Sequence, residues 1–289
     1  MLRLVKAEIY ILFKTRTFKV LCVIALLLGL LLVGESSMSQ SSLKGMSPEQ
    51  QNQYVENNKI PNDTNASVVQ SGSMGIHLSA KDIFHPTAME IFYSSFGSGI
   101  METLMAILIG AMVGSEYSSG TIKNIIAYGK KRDYYYISKL VACSVGFIII
   151  LGIIVLIPTV SWGFMFGWGE AFTITQILQI VAVFAGATVV GMGIISLLML
   201  LATLVRSNGS TIGIGIVVMS ILPMIIASFY GKYGWFDKIY EDTLSYNWAL
   251  ATSIRATNGE ILKAVSVGFI TLVIATIGGI TIFKKQDIK

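Results

Sequence analysis

The stretch "YISKLVACSVGFIIILGIIVLIPTVSWGF", Tyr136–Phe164, decides the class of fold. A helix needs about 20 apolar residues to cross the roughly 30 Å hydrocarbon core of a bilayer, and this run exceeds that length. Five more runs of the same kind lie at about 19–38, 92–115, 172–204, 210–230 and 262–283. Of 289 residues, 54% are hydrophobic and 13% charged, and the mean hydropathy is +0.71. Soluble domains carry about 25% charged residues, and a soluble fold would have to bury all six runs at once. The expectation is an all-α integral membrane protein: six transmembrane helices in one domain, residues 1–289.

The run at 172–204 is longer than a perpendicular helix needs, so it is either steeply tilted or continues into an interfacial helix. Pro158 and Pro223 mark kinks in the third and fifth spans. Gly110 and Gly114 in the second span, and Gly209 and Gly213 at the start of the fifth, have the four-residue spacing that lets helix backbones approach closely.

Orientation follows from basic residues. With the N-terminus in the cytoplasm, fourteen of the 21 Lys and Arg residues fall on the cytoplasmic side and seven on the other. The positive-inside bias and the even number of spans then place both termini in the cytoplasm. Residues 39–90, rich in Ser, Gln and Asn, become an extracellular loop. Residues 231–261, which carry Tyr233, Trp235, Phe236, Tyr240, Tyr246 and Trp248, become short helices at or dipping into the outer leaflet, because such aromatics favour the interface.

Several chemistries are absent. No G-x-x-x-x-G-K-[ST] loop is present to hold ATP phosphates, and no H-E-x-x-H pair to hold zinc. The "FGSG" turn at Phe96–Gly99 lacks a base at membrane depth, since His77 and His85 both lie in the outer loop. Cys22 and Cys143 fall inside apolar runs with no metal or disulfide spacing. No catalytic or metal-ligating residue is expected, and no nucleic-acid partner. One acid, Glu102, stands in the outer half of the second span; it is either a contact on a substrate pathway or a carboxylate paired or solvated near the surface.

The remaining signal is the loop "EYSSGTIKNIIAYGKKRD", Glu116–Asp133. Topology alone accounts for its cations. It does not account for Glu116, the Gly120-Thr121 pair, or Ile122, Ile125 and Ile126, which share one face of a helix. Ser118 or Ser119 can cap such a helix over Gly120 to about Tyr128, with Gly129 just past its end. A docking surface for a cytoplasmic partner is the sharper reading of this segment.

These residues resemble a known family. "GSEYSSGTIKNII" is similar to the E-[FY]-x-x-G-T-[ILV]-[KR] signature that follows the second span in permease subunits of type-2 ABC exporters, matching at Glu116, Tyr117, Gly120, Thr121, Ile122 and Lys123. The N-terminal residues 1–18 resemble that family's amphipathic entry helix, with Leu2, Val5, Ile9, Leu12 and Phe13 as its apolar face. The resemblance covers the whole chain in layout and about a dozen residues in motif. Chains of this length without a fused ATPase look most like those of bacitracin-resistance, lantibiotic-immunity and peptide-toxin export systems.

The resemblance implies a half-transporter in a bacterial plasma membrane. Two permease chains, identical or related, would sit on two separate ABC ATPase subunits that carry ATP and Mg, within membrane lipids. The 116–133 segment would be the coupling element. Glu116 would pair with a base, on the entry helix in the simplest arrangement, Thr121 would satisfy the first turn, and Ile122, Ile125 and Ile126 would pack on the ATPase or the entry helix. The cargo implied is an amphipathic peptide, bacteriocin or toxin, or a lipid-like antibiotic. The competing classes are an ATPase-independent carrier or channel, and a membrane scaffold or sensor.

Overall fold

The structure, a computed structural model, describes residues 1–50 except Pro48, 86–123 except Ser98, 131–169, and 173–286 except Arg255. Among these residues there is no strand, and six helices are long and apolar enough to cross a membrane. The fold is an all-α membrane domain.

The chain opens with α1 (Leu2–Lys14), leaves the helix at Thr15 in an extended conformation, and enters α2 (Arg16–Lys44). The Thr15 hydroxyl donates to Ile11 O at 2.8 Å and so satisfies a terminal carbonyl of α1. Phe13 meets Phe18 edge-on at 5.7 Å and closes the corner between the two helices.

The second span differs from the expected 92–115. The short helix α3 (Ala88–Ser94) is capped by a reciprocal Thr87/Glu90 pair, and every one of its residues is buried. A turn with Gly97 at φ 59° and Gly99 at φ 76° then separates it from α4 (Ile100–Ser118). The apolar run looked continuous because a fully buried short helix is as apolar as a span. Two residues in the left-handed region break it, which glycine alone does without strain.

The other long helices are α5 (Arg132–Phe166), α6 (Ile174–Val205), α7 (Asn208–Ala227) and α10 (Asn258–Lys285). The long fourth run is thus one continuous helix. Between α7 and α10 lie α8 (Gly234–Tyr240) and α9 (Leu244–Ala251). α8 exposes Trp235 and Ile239, whereas α9 is inserted: Trp248 is 1% exposed, lies 6.3 Å from both the Phe96 and Phe147 rings, and donates to Gly97 O at 3.2 Å. Phe147 belongs to the middle of α5, so α9 reaches deep between the spans.

Packing relies on close backbone approach at few points. α10 runs along α6, where a Cβ on Gly268 would stand 2.7 Å from Val190 Cα and one on Gly193 2.8 Å from Gly268 O. Gly114 of α4 faces α7, with Asn208 Cα 2.9 Å from where its Cβ would be, and Gly110 meets Ile212. A Cβ on Gly209 or Gly213 would meet nothing within 4 Å, so this second pair marks no close helix approach among the described residues. Thr103 of α4 and Ser220 of α7 share a hydrogen bond of 3.0 Å.

Both α4 and α7 contain a π-turn, at Gly110–Gly114 and Val217–Ile221. The second lies just ahead of Pro223, whose ring would collide with a carbonyl one turn earlier in a regular α-helix. The wider turn accommodates it.

Candidate functional site

The end of the bundle that holds the N-terminus also gathers the last turn of α4, the first turns of α5 and α7 and the last turn of α10. At its centre Lys139 of α5 contacts two carboxylates at once. Its Nζ lies 2.6 Å from Glu8 Oε2 of α1 and 2.6 Å from Glu116 Oε1 of α4. All three are shielded, the side chains being 1%, 6% and 14% exposed. Tyr135, one helical turn before Lys139, donates its hydroxyl to Glu116 Oε2. Both oxygens of Glu116 therefore have donors.

The local sequence explains this convergence. Leu4, Glu8 and Leu12 recur every fourth residue of α1, so Glu8 interrupts the face that α1 presents to α5. Tyr135, Lys139 and Cys143 form the matching row on α5. A carboxylate in such an apolar face is costly without a counter-charge. Two acids around one ammonium still leave one negative charge in excess, and burial pushes the Glu8 carboxyl above its ordinary range, Lys139 opposing the shift and Glu116 adding to it.

A second layer fixes α10 to the same junction. Arg132 donates through Nη1 to Phe283 O, Lys284 O and Gln286 O at 3.0, 2.8 and 2.8 Å, which satisfies the last carbonyls of that helix. Gln286 donates to Thr203 O at 2.7 Å and accepts from Tyr117 OH at 3.4 Å. The Phe283 ring stacks on Tyr135 at 5.8 Å and meets Tyr117 edge-on at 6.5 Å. Ser118 Oγ accepts from Asn208 N at 2.9 Å, tying the end of α4 to α7.

The signature residues fall as follows. Glu116 pairs with a base, but that base is Lys139 on α5, and α1 supplies an acid. Gly120 has φ +70° and ends α4; the next helical turn starts at Thr121, one residue later than expected, because Gly120 is the left-handed link. Thr121 Oγ1 shares a 2.7 Å hydrogen bond with Ser119 Oγ. Ile122 is 2% exposed within the chain itself, and Lys123 is exposed. Ile125 and Ile126, and the helix end at Tyr128–Gly129, lie outside the described residues.

The packed face of α1 also differs from expectation. Leu12 is buried and Val5 and Ile9 half-buried, but Leu2 and Phe13 are 78% and 49% exposed, and Leu4 and Glu8 take their place. Glu102 is 3% exposed, and among the described residues no lysine lies within ion-pair distance of it. It stands in the first turn of α4 facing the Gly99 and Glu102 backbone N–H groups, and its Oε2 has no hydrogen-bond partner among the described residues. No described group of three His, Cys, Asp or Glu could hold a metal ion.

Sequence reasoning missed Lys139, Glu8, Tyr135, Arg132 and Gln286. Lys139 stands near the start of a span, where the positive-inside bias alone accounts for a cation, and Glu8 stands in a helix whose other charges are basic. The detectable signal was an acid centred on the apolar face of α1 and a lysine a turn inside an apolar run, each requiring a buried opposite charge.

No curated protein and no solved structure matches the chain. Residues 78–289 match a family described as protein of unknown function (DUF2705). That match takes in the junction residues of α4, α5 and α10 and leaves out α1 with Glu8. The chain belongs to the DUF2705 family.

Proposed function

We propose that this chain is the membrane-spanning permease subunit of an ATP-driven exporter whose ATPase is a separate subunit. The observation that carries the reading is the Glu8–Lys139–Glu116 junction. It clamps the signature segment Glu116–Lys123 rigidly to α1 and α5, so a push on that segment moves three helices together instead of bending a loop.

In this reading the junction end faces the cytoplasm, and two ATPase subunits bind beneath a pair of permease chains. Closure of the ATPases on ATP presses on the exposed Thr121 and Lys123 side of the segment. Lys139 and Tyr135 pass the displacement into α5, and Ser118 passes it into α7 through Asn208. The π-turns of α4 and α7 are the points where these paired helices can change register, a two-state element of the kind transport requires. An amphipathic peptide or lipid-like antibiotic suits the apolar spans as cargo. Glu102 is the polar contact on the pathway.

The reading is tested by isolating the chain from its native membrane in mild detergent. A stoichiometric ATPase subunit, with hydrolysis that responds to candidate peptides, is the predicted result. Cargo movement by the chain alone in liposomes overturns it in favour of an autonomous carrier. Absence of both an ATPase and any nucleotide-dependent conformation favours a scaffold.

A further inference from the structure

The cations of α1 and of the first turn of α2 take no part in the junction. Arg3, Lys6, Lys14, Arg16 and Lys19 are all exposed, and none has a carboxylate within ion-pair distance among the described residues. The first turn of α2 contains no acid that would offset its positive helix end. The only acid of α1, Glu8, is turned inward to Lys139. A concentrated positive charge therefore remains at the corner where α1 meets α2.

The face below that corner is apolar. Arg16, Lys19, Val20, Val23, Leu27 and Leu31 recur at three- and four-residue intervals and so share one side of α2. Val20, Val23, Leu27 and Leu31 are 54%, 57%, 51% and 65% exposed. Phe13, half-exposed, flanks the corner, and Lys14 Nζ lies 4.9 Å above the Tyr10 ring. Cations at the end of an apolar stripe on one helix face reproduce the outline of a lipid: anionic headgroup above, acyl chain below.

We propose that the α1–α2 corner is a binding site for an anionic phospholipid, its phosphodiester held by Lys14, Arg16 and Lys19 and its acyl chain laid along Val20, Val23 and Leu27. Arginine and lysine at headgroup level each add about fivefold to the affinity for an anionic surface. The stripe belongs to a membrane-crossing helix and is covered by acyl chains, so the anion carried at the head of those chains, a phosphodiester, is the one held beside the three cations. Because the other side of α1 carries Glu8, the lipid sits across the helix from the junction and holds α1 against α5. The site is independent of the exporter reading.

The test is thermal unfolding of the full-length chain in detergent, with phosphatidylglycerol or phosphatidylcholine of identical acyl chains added. Phosphatidylglycerol raises the midpoint more than phosphatidylcholine, and 1 M salt, where the screening length is about 3 Å, shrinks that excess. K14Q/R16Q/K19Q abolishes it, and the charge-preserving K14R/R16K/K19R variant retains most of it. Equal shifts for the two lipids, or an excess untouched by salt, overturn the proposal; so does its survival in the neutralised variant. The salt measurement needs only the wild-type chain, so it decides the matter even if the neutralised variant inserts poorly. Inorganic phosphate alone, lacking the acyl chain, produces no shift; a full shift with phosphate contradicts a lipid site.

Discussion

Replacing Lys139 by methionine removes the cation that stands between the buried Glu8 and the largely shielded Glu116. At an effective dielectric of about 20, each contact of this length carries a raw attraction on the order of 6 kcal/mol, which desolvation of the three ions largely offsets. The cost of the substitution is therefore set by what it leaves behind, an unpaired Glu8 and Glu116 in a shielded site, at about 3–5 kcal/mol. Adding E8Q and E116Q to K139M removes those charges and recovers part of the loss, the two shielded amides keeping a smaller desolvation cost than the unpaired carboxylates. Unfolding in mixed micelles with increasing SDS measures both variants against wild type. A K139M chain as stable as wild type, or a triple variant no more stable than K139M, refutes the account of the junction.

Other outcomes follow from the same contacts. Because burial raises the Glu8 carboxyl in the folded chain, the folded state binds its proton more tightly than the unfolded state does. The stabilisation is fully present below the ordinary glutamate pKa of about 4.3 and is lost as pH rises through the raised folded value. The E8Q variant, which stays neutral throughout, removes this part of the pH dependence of unfolding. The groups facing Glu8 are Glu116 of α4 and Tyr135, Lys139 and Cys143 of α5, so a slope that persists unchanged in E8Q assigns the proton elsewhere. Gly268→Ala forces a Cβ against the Val190 backbone and destabilises by about 1–3 kcal/mol, whereas Gly213→Ala, with nothing within 4 Å among the described residues, costs nothing and adds up to about 1 kcal/mol of helix stability. Trp248→Ala empties the contact of α9 with Phe96 and Phe147 and lowers stability by about 3–5 kcal/mol, read by the same unfolding assay.

Hydropathy made the spans legible because a membrane crossing is a property of one contiguous stretch. The same logic failed at residues 92–99, where α3 is hidden by neighbouring spans and is as apolar as they are. Interfacial aromatics between α7 and α10 marked short helices, yet composition did not distinguish the exposed α8 from the inserted α9, which depends on where Trp248 finds its partners. Glu116 was legible from local sequence. Its partner Lys139 was not, because the pairing joins residues far apart in the chain, and each acid or base alone has a solvated alternative. The face of α1 was assigned by apolarity, but packing selected Glu8 over Leu2 and Phe13 through its ion pair.

The most direct measurement of the central claim is site-specific photocrosslinking in living cells, with a photoreactive residue at Lys123, which is exposed beside the junction, and a control at Lys232 on the opposite end of the bundle. The account predicts a covalent adduct between position 123 and a soluble ATPase subunit, and none from position 232. An ATPase adduct from position 232, or no ATPase adduct from position 123, would contradict it.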